Sequence, residues 1–170
     1  MVDIRLLTEN DAEAYAGLRL RGLRDHPEAF GSSYEEERHR PIDDLKKRLK
    51  ERSTAENFTL GAWQGEVLVG MVGFYREAHL KMRHKGNIWG MYVAPEGRGQ
   101  GIGRQLLEAA LARAKNLDGL EQVNLTVVST NMAARQLYLS LNFKVFGLES
   151  RALKIGEQYF DEEYMVLRLC

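Results

Sequence analysis

"NIWGMYVAPEGRGQGIGRQLLEAALARAKN", residues 87–116, passes from an apolar run through four glycines and two arginines into a helical pattern. Ile88 to Ala94 reads as a strand, and Ile102, Leu106, Leu107, Ala110, Leu111 and Ala114 recur as the buried face of a helix. Between them lies Arg98-Gly99-Gln100-Gly101-Ile102-Gly103, ending where the helix begins. A helix start exposes N–H groups that have no partner within the helix, and it carries a partial positive charge. Glycines let the main chain approach a bulky anion, and Arg98 and Arg104 offer charge-assisted hydrogen bonds. The junction predicts an anion site large enough for a pyrophosphate.

Spacing separates this loop from two well-known phosphate loops. A P-loop needs Lys and Ser/Thr after its last glycine, where this chain has Arg104-Gln105. A dinucleotide fingerprint needs G-x-G-x-x-G followed about 20 residues later by an acidic residue. Here Gly99-Gln100-Gly101 is followed two places on by Gly103, and the later stretch offers Gln122 and Asn124. Neither nucleotide motif fits.

Outward from the loop, the chain alternates strand and helix signals. "DIRLL" is β-prone, and Thr8-Glu9-Asn10-Asp11 reads as a capping box opening a helix to about Leu23. Residues 25–37, "DHPEAFGSSYEEE", suggest an ordered loop leading into a second helix that runs to about Arg52. Two apolar runs flank Gln64-Gly65-Glu66, the signature of a hairpin. After the helix at 102–115, "EQVNLTVVS" predicts a strand and "NMAARQLYLSL" a helix. "FKVFGLES" and "EYMVLRL" then predict two closing strands around a loop containing Gly156. Early hairpins and a late βαβα order imply one α/β sheet with parallel and antiparallel strands, in a single domain over residues 1–170.

Twenty-four basic residues balance 24 acidic ones, so no global field recruits nucleic acid or an anionic membrane surface. The lone Cys170 gives neither a disulfide framework nor a CxxC motif, which fits a reducing cytoplasm. "MVDIRLLTEND" lacks the pattern of a signal peptide, and no apolar run suits a membrane helix, so a soluble, unprocessed chain is expected. His26, His39, His79 and His84 have no converging spacing; they read as surface or turn residues, and no metal is expected.

R-x-x-G-x-G after "IWGMYVAP", with "VNLTVVSTNMAARQLYLSLNFK" downstream, resembles the GCN5-related N-acetyltransferases, which bind acetyl-coenzyme A. The resemblance implies their fold: a mixed, mostly antiparallel sheet with a splayed central strand pair, flanked by helices. It implies that the N–H groups of Gly99, Gln100, Gly101, Ile102, Gly103 and Arg104, with Arg98, cradle the coenzyme pyrophosphate. Main-chain groups of the strand Met91-Tyr92-Val93 would pair with the pantetheine arm as a further strand does.

Asn131, Ala134, Arg135 and Tyr138 lie at i, i+3, i+4 and i+7, the spacing of one helical face. In the family the asparagine and the small residue pack along the coenzyme, and the tyrosine stands near the thioester sulfur. Tyr138 matches that tyrosine and is the expected general acid; the Val93 N–H is the expected oxyanion donor. Many relatives carry a carboxylate on the strand before the glycine loop, yet Asn87 to Ala94 contains none. Among Glu35, Glu36 and Glu37, Glu36 is taken as base, with a water chain as the alternative. Phe30, Ser33 and Tyr34, with Ser32 and with Tyr159, Asp161 and Tyr164 of the last hairpin, are placed around the acceptor.

The expected reaction is acetyl transfer from acetyl-coenzyme A to a primary amine by direct attack, without a protein nucleophile. The amine belongs to a small molecule or to a protein, and a homodimer is kept open. Two other readings stand beside it. One is a coenzyme-A-binding module without turnover, which an amine panel would distinguish; the other is a nucleotide-binding regulator, which competition with ATP would expose.

Overall fold

The computed structural model describes residues 1–169; Cys170, the chain's lone cysteine, lies outside the described residues. Seven strands form one sheet in the order β1-β2-β3-β4-β5-β7-β6. They are β1 (Asp3–Leu6), β2 (Asn57–Gln64), β3 (Val67–Arg76), β4 (Lys85–Val93), β5 (Gln122–Val128), β6 (Lys144–Ile155) and β7 (Gln158–Arg168). Every neighbouring pair is antiparallel except β4 and β5, which are parallel. A parallel pair needs a crossover connection, and α4 (Ile102–Lys115) supplies it.

The sheet buries both faces. On one, Phe58, Leu60, Val69 and Phe74 pack with the stripe Ile102, Leu106, Leu107 and Ala110 of α4. On the other, Trp63, Leu68, Met71 and Tyr92 pack with Tyr15, Leu18 and Leu23 of α1 (Ala12–Asp25) and Leu49 of α3 (Ile42–Glu51). Strand side chains alternate between faces, so short β runs serve two cores at once. Among the described residues, no helix is long and apolar enough to cross a membrane.

Three boundaries differ from the sequence reading. The expected helix up to Arg52 is two: the single turn α2 (Tyr34–Glu37) and α3. Pro41 separates them as the N-cap of α3, since proline lacks an N–H and disfavours helical backbone at the residue before it. The capping box does form, with the Asp11 carboxylate accepting from the Thr8 N–H at 2.9 Å, but a 3₁₀ turn over Glu9–Asp11 precedes α1. The closing strands extend into a hairpin that turns at Gly156. The charged stretch after Ser150 conceals β6 in the sequence because both its faces are largely exposed.

Two features of β4 open the sheet beside the glycine loop. It pairs with β5 only from Lys85 to Asn87, opposite residues 122–124, and the strands then part. Against β3, Tyr92 pairs with Met71 and Trp89 with Gly73, so Gly90 and Met91 oppose Val72 alone. Gly90 takes the left-handed φ of +61° that this bulge requires. A bulge bends its strand, and here it lies on the segment that leaves β5.

Candidate active site

β4 walls two cavities, one on each side of its bulge. Met91, Tyr92 and Val93 line a cleft of about 690 Å³ with the glycine loop and the start of α5 (Met132–Ser140). Ile88, Trp89 and Gly90 line a second cavity of about 510 Å³ with β5, β6 and β7. Glu28 and Ala29, from the 3₁₀ turn Pro27–Ala29, belong to both, so the two spaces meet where β4 and β5 separate.

The loop presents the donors that its glycines imply. The Arg98 N–H donates to Pro95 and the Gln105 N–H to Gly101, while the six N–H groups of residues 99–104 between them have no acceptor among the described residues. Gly99 and Gly101 hold φ at +74° and +73°, which L side chains rarely adopt. This run of free donors at a helix N-terminus suits a bulky anion.

The arginines are more engaged than the sequence suggests. Arg98 lines the cleft, donating from Nε to the Val93 carbonyl at 3.1 Å and resting its Nη2 at 3.1 Å from His26 Nε2. His26 is therefore a cleft residue, which nothing in the histidine spacing signals. Arg104 also lines the cleft, tied to Glu108 at 2.9 Å and to the Ser140 hydroxyl at 3.0 Å. The Gln100 side chain turns into its own loop, donating to the Glu96 carbonyl at 3.0 Å and accepting from Gln64 at 2.8 Å.

On α5, Asn131 and Ala134 reach the cleft as expected, and Arg135 and Tyr138 do not. Asn131 is the N-cap, its side chain accepting from the Ala134 N–H at 3.3 Å, and its φ of −80° and ψ of 77° are not helical. Counting the helical face from Asn131 therefore misplaces its later positions. The cleft takes the whole first turn, Thr130 to Ala134, and then Leu137. Arg135 instead pairs with Glu163 of β7, Nε to Oε2 at 2.8 Å, tying helix to sheet. Tyr138, only 5% exposed, packs against Phe143 in the core and is absent from the cleft wall. Burial raises its phenol from 10.0 to about 12.

The second cavity carries the acceptor expectations unevenly. Phe30, Ser32 and Tyr164 line it. Ser33 and Tyr34 sit one step away, in a smaller cleft of about 430 Å³ closed by Leu153 to Ile155. Glu36 lines none of these spaces: its carboxylate accepts from the Ser33 N–H and hydroxyl, both at 2.9 Å, which closes a capping box on α2. Those bonds hold the Glu36 pKa below the ordinary carboxylate value and engage the atoms a base would use.

Glu28 and Glu162 are the cavity carboxylates that the sequence reading missed, and Glu162 is the one drawn inward by the strands. It lies on β7 opposite Val128 of β5 and Glu149 of β6, beside the split, and it lines the cavity. Burial, and then the charge of Glu149, raise its pKa above the ordinary value. Glu149 itself accepts from the Tyr164 hydroxyl.

The Acetyltransferase (GNAT) family model matches residues 21–143. A mycothiol acetyltransferase of Thermobispora bispora is 34% identical over 138 residues, which is 78% of this chain and 43% of that protein. The chain thus spans less than half the length of that curated relative. A GNAT-family acetyltransferase structure from Streptococcus pneumoniae superposes with a TM-score of 0.88 at 23% identity, covering 99% of this chain and 100% of the other. A structure from Salmonella typhimurium, solved with its cofactor acetyl-CoA, superposes at 0.86 with 22% identity, covering 100% and 95%. These two likenesses carry the fold, whose mostly antiparallel sheet and flanking helices are those seen here. With the family model spanning well over half its length, the chain belongs to the acetyltransferase (GNAT) family.

Proposed function

We propose that this chain transfers an acetyl group from acetyl-coenzyme A, held in the glycine-loop cleft, to an amine entering from the cavity beyond Trp89. One observation carries the reading: a single strand walls both spaces, and they meet at Glu28 and Ala29 where β4 leaves β5. The cleft fits the coenzyme because the six free N–H groups of residues 99–104 suit its pyrophosphate. Beyond Asn87, the β4 edge facing β5 has no strand partner, which suits the amide-bearing pantetheine arm.

When bound, the coenzyme supplies an acetyl thioester, and the chain's residues manage position and protons. As the N–C bond forms and the C–S bond breaks, the amine nitrogen sheds one proton and the sulfur gains one. Glu162 replaces Glu36 as the base for the first of these, being a cavity carboxylate with a raised pKa. The developing oxyanion takes a main-chain N–H from the bulge at Gly90 and Met91, between the two spaces. Val93, expected for that role, sits opposite Gly70, but the bond between the strands there runs from the Ala94 N–H to Val69, so the Val93 N–H faces the parted edge and stands as the alternative donor.

Tyr138 is kept as the proposed donor to the departing sulfur on the family resemblance alone: its ring packs in the core outside the cleft wall, so the role requires its hydroxyl to meet the sulfur once the coenzyme is bound. Held near 12, the phenol stays protonated throughout the working pH range, but it is a weaker acid than an ordinary thiol at about 8.5. It therefore contributes a hydrogen bond more than a completed proton transfer. Tyr138→Phe is expected to slow single-turnover transfer about tenfold with coenzyme affinity unchanged. A purely structural hydroxyl would lower the melting temperature and leave that rate alone.

The reading as a whole is tested by coenzyme A release from acetyl-coenzyme A across an amine panel, with mass analysis of the products. Thiol release matched by an N-acetylated product supports it. Tight coenzyme binding without any acetylated amine would favour a binding module.

A further inference from the structure

α1, α2 and α3 close around a smaller pocket of about 300 Å³. It shares Arg19, Ser32 and Trp89 with the proposed acceptor cavity and no wall residue with the glycine-loop cleft. Five arginines line it, Arg19, Arg38, Arg40, Arg48 and Arg52, against one carboxylate, Glu37. That carboxylate is already engaged: Arg19 donates to it from Nε at 2.7 Å and from Nη2 at 2.9 Å. Among the described residues, no carboxylate lies within 4.0 Å of the guanidinium of Arg38, Arg40, Arg48 or Arg52.

Exposed arginines are ordinarily solvated and carry no message, but two of these are drawn inward. Arg52 is half-buried, its guanidinium 4.9 Å from the centre of the Trp89 ring. Burial, and the positive fields of Arg48, Arg19 and Arg40, lower its pKa from the usual guanidinium value. Arg19 Nη1 is buried with no hydrogen-bond partner, close to the β4 bulge: a Cβ on Gly90 would lie 3.6 Å from it. A buried donor without an acceptor and a concave set of uncompensated cations share one remedy, a bound anion.

We propose that this pocket receives an anionic group of the acceptor, a carboxylate or a phosphate, while the acceptor's amine lies beyond Arg19 and Trp89 in the larger cavity. The inference rests on the reading of that cavity as the acceptor site. The coenzyme's own phosphates are not the anion, because the glycine-loop cleft has no wall in common with the pocket. Carboxylate and phosphate both accept the paired N–H groups of a guanidinium, so the cluster suits either.

Two measurements test it, and the first needs no turnover. With coenzyme A saturating the glycine-loop cleft, inorganic phosphate or succinate, compared with chloride at equal ionic strength, is expected to raise the melting temperature of the wild-type protein. The rise should be lost in Arg48→Gln and in Arg52→Gln. No rise, or an equal rise in the variants, overturns the proposal. Arg48 is exposed, so its variant keeps the test open should Arg52→Gln fail to fold.

The second compares lysine with lysinamide, and phosphoethanolamine with ethanolamine, as acceptors. The anionic member of one pair is expected to show a KM about 10- to 100-fold lower, an advantage that collapses in Arg48→Gln. A preference in the lysine pair marks a carboxylate, and one in the other pair a phosphate. Transfer indifferent to the anionic group overturns this inference and leaves the acceptor cavity standing. Coenzyme binding with no transfer to any amine overturns the acceptor reading, and the assignment of the anion to an acceptor with it.

Discussion

Glu162→Gln is expected to slow single-turnover acetyl transfer about 100- to 10,000-fold while coenzyme affinity stays intact, the range that general base catalysis typically contributes. The substitution keeps the shape of the side chain and removes its basicity. Because the folded pKa of Glu162 is raised, chiefly by burial and then by Glu149, the wild-type rate should fall as pH drops through that raised value. The glutamine variant should lack this acid limb. Stability moves the other way. A carboxylate with a raised folded pKa contributes stability that is present below its unfolded pKa and lost as pH rises through the folded one. At pH values above that raised pKa the charged Glu162 is therefore unfavourable in its half-buried place, and there the uncharged glutamine is expected to hold or raise the melting temperature. Quenched-flow rates beside thermal melts check both effects. A rate unchanged across the pH range would return the base to solvent.

Gly101→Val is expected to weaken acetyl-coenzyme A binding by about 100-fold or more, as two charge-assisted hydrogen bonds are lost. Valine tolerates the +73° φ of Gly101 poorly, so the loop must shift. Its side chain would also occupy space among the six donors of residues 99–104. Gly156→Val supplies the control: it imposes comparable strain, at a φ of +60°, in the turn of the β6–β7 hairpin. Isothermal titration should find near-normal coenzyme affinity in Gly156→Val and a lost signal in Gly101→Val. Equal affinity in the two variants would remove the loop from the site.

The glycine loop was legible because its signals are local. A strand, a run of glycines and an apolar stripe on the next helix are read within 30 residues, and the free N–H groups follow from helix geometry alone. α5 was half legible. Its existence follows from Asn131 and the apolar spacing, but its phase depends on the backbone at the cap, which turned Arg135 toward Glu163 and Tyr138 into the core. Glu162 was not legible because it stands in "DEEYMV", where successive acids resemble a solvated face. Its partial burial depends on the register of β7 with β5 and β6, set by residues more than 30 positions away in β5. The same holds for the bulge. Gly90 is visible in the sequence, but its task emerges only when β3 fixes the count on both strands. Local chemistry announced the cleft proposed for the coenzyme, and long-range pairing built the cavity proposed for the acceptor.

Direct attack across the split of β4 and β5 requires coenzyme and amine to be bound together, and initial rates with both concentrations varied test that most directly. Double-reciprocal lines should intersect, and protein incubated with acetyl-coenzyme A alone should carry no acetyl group. Parallel lines, with an acetyl group retained on the protein, would mean a covalent acyl-enzyme and would contradict transfer from one cavity to the other.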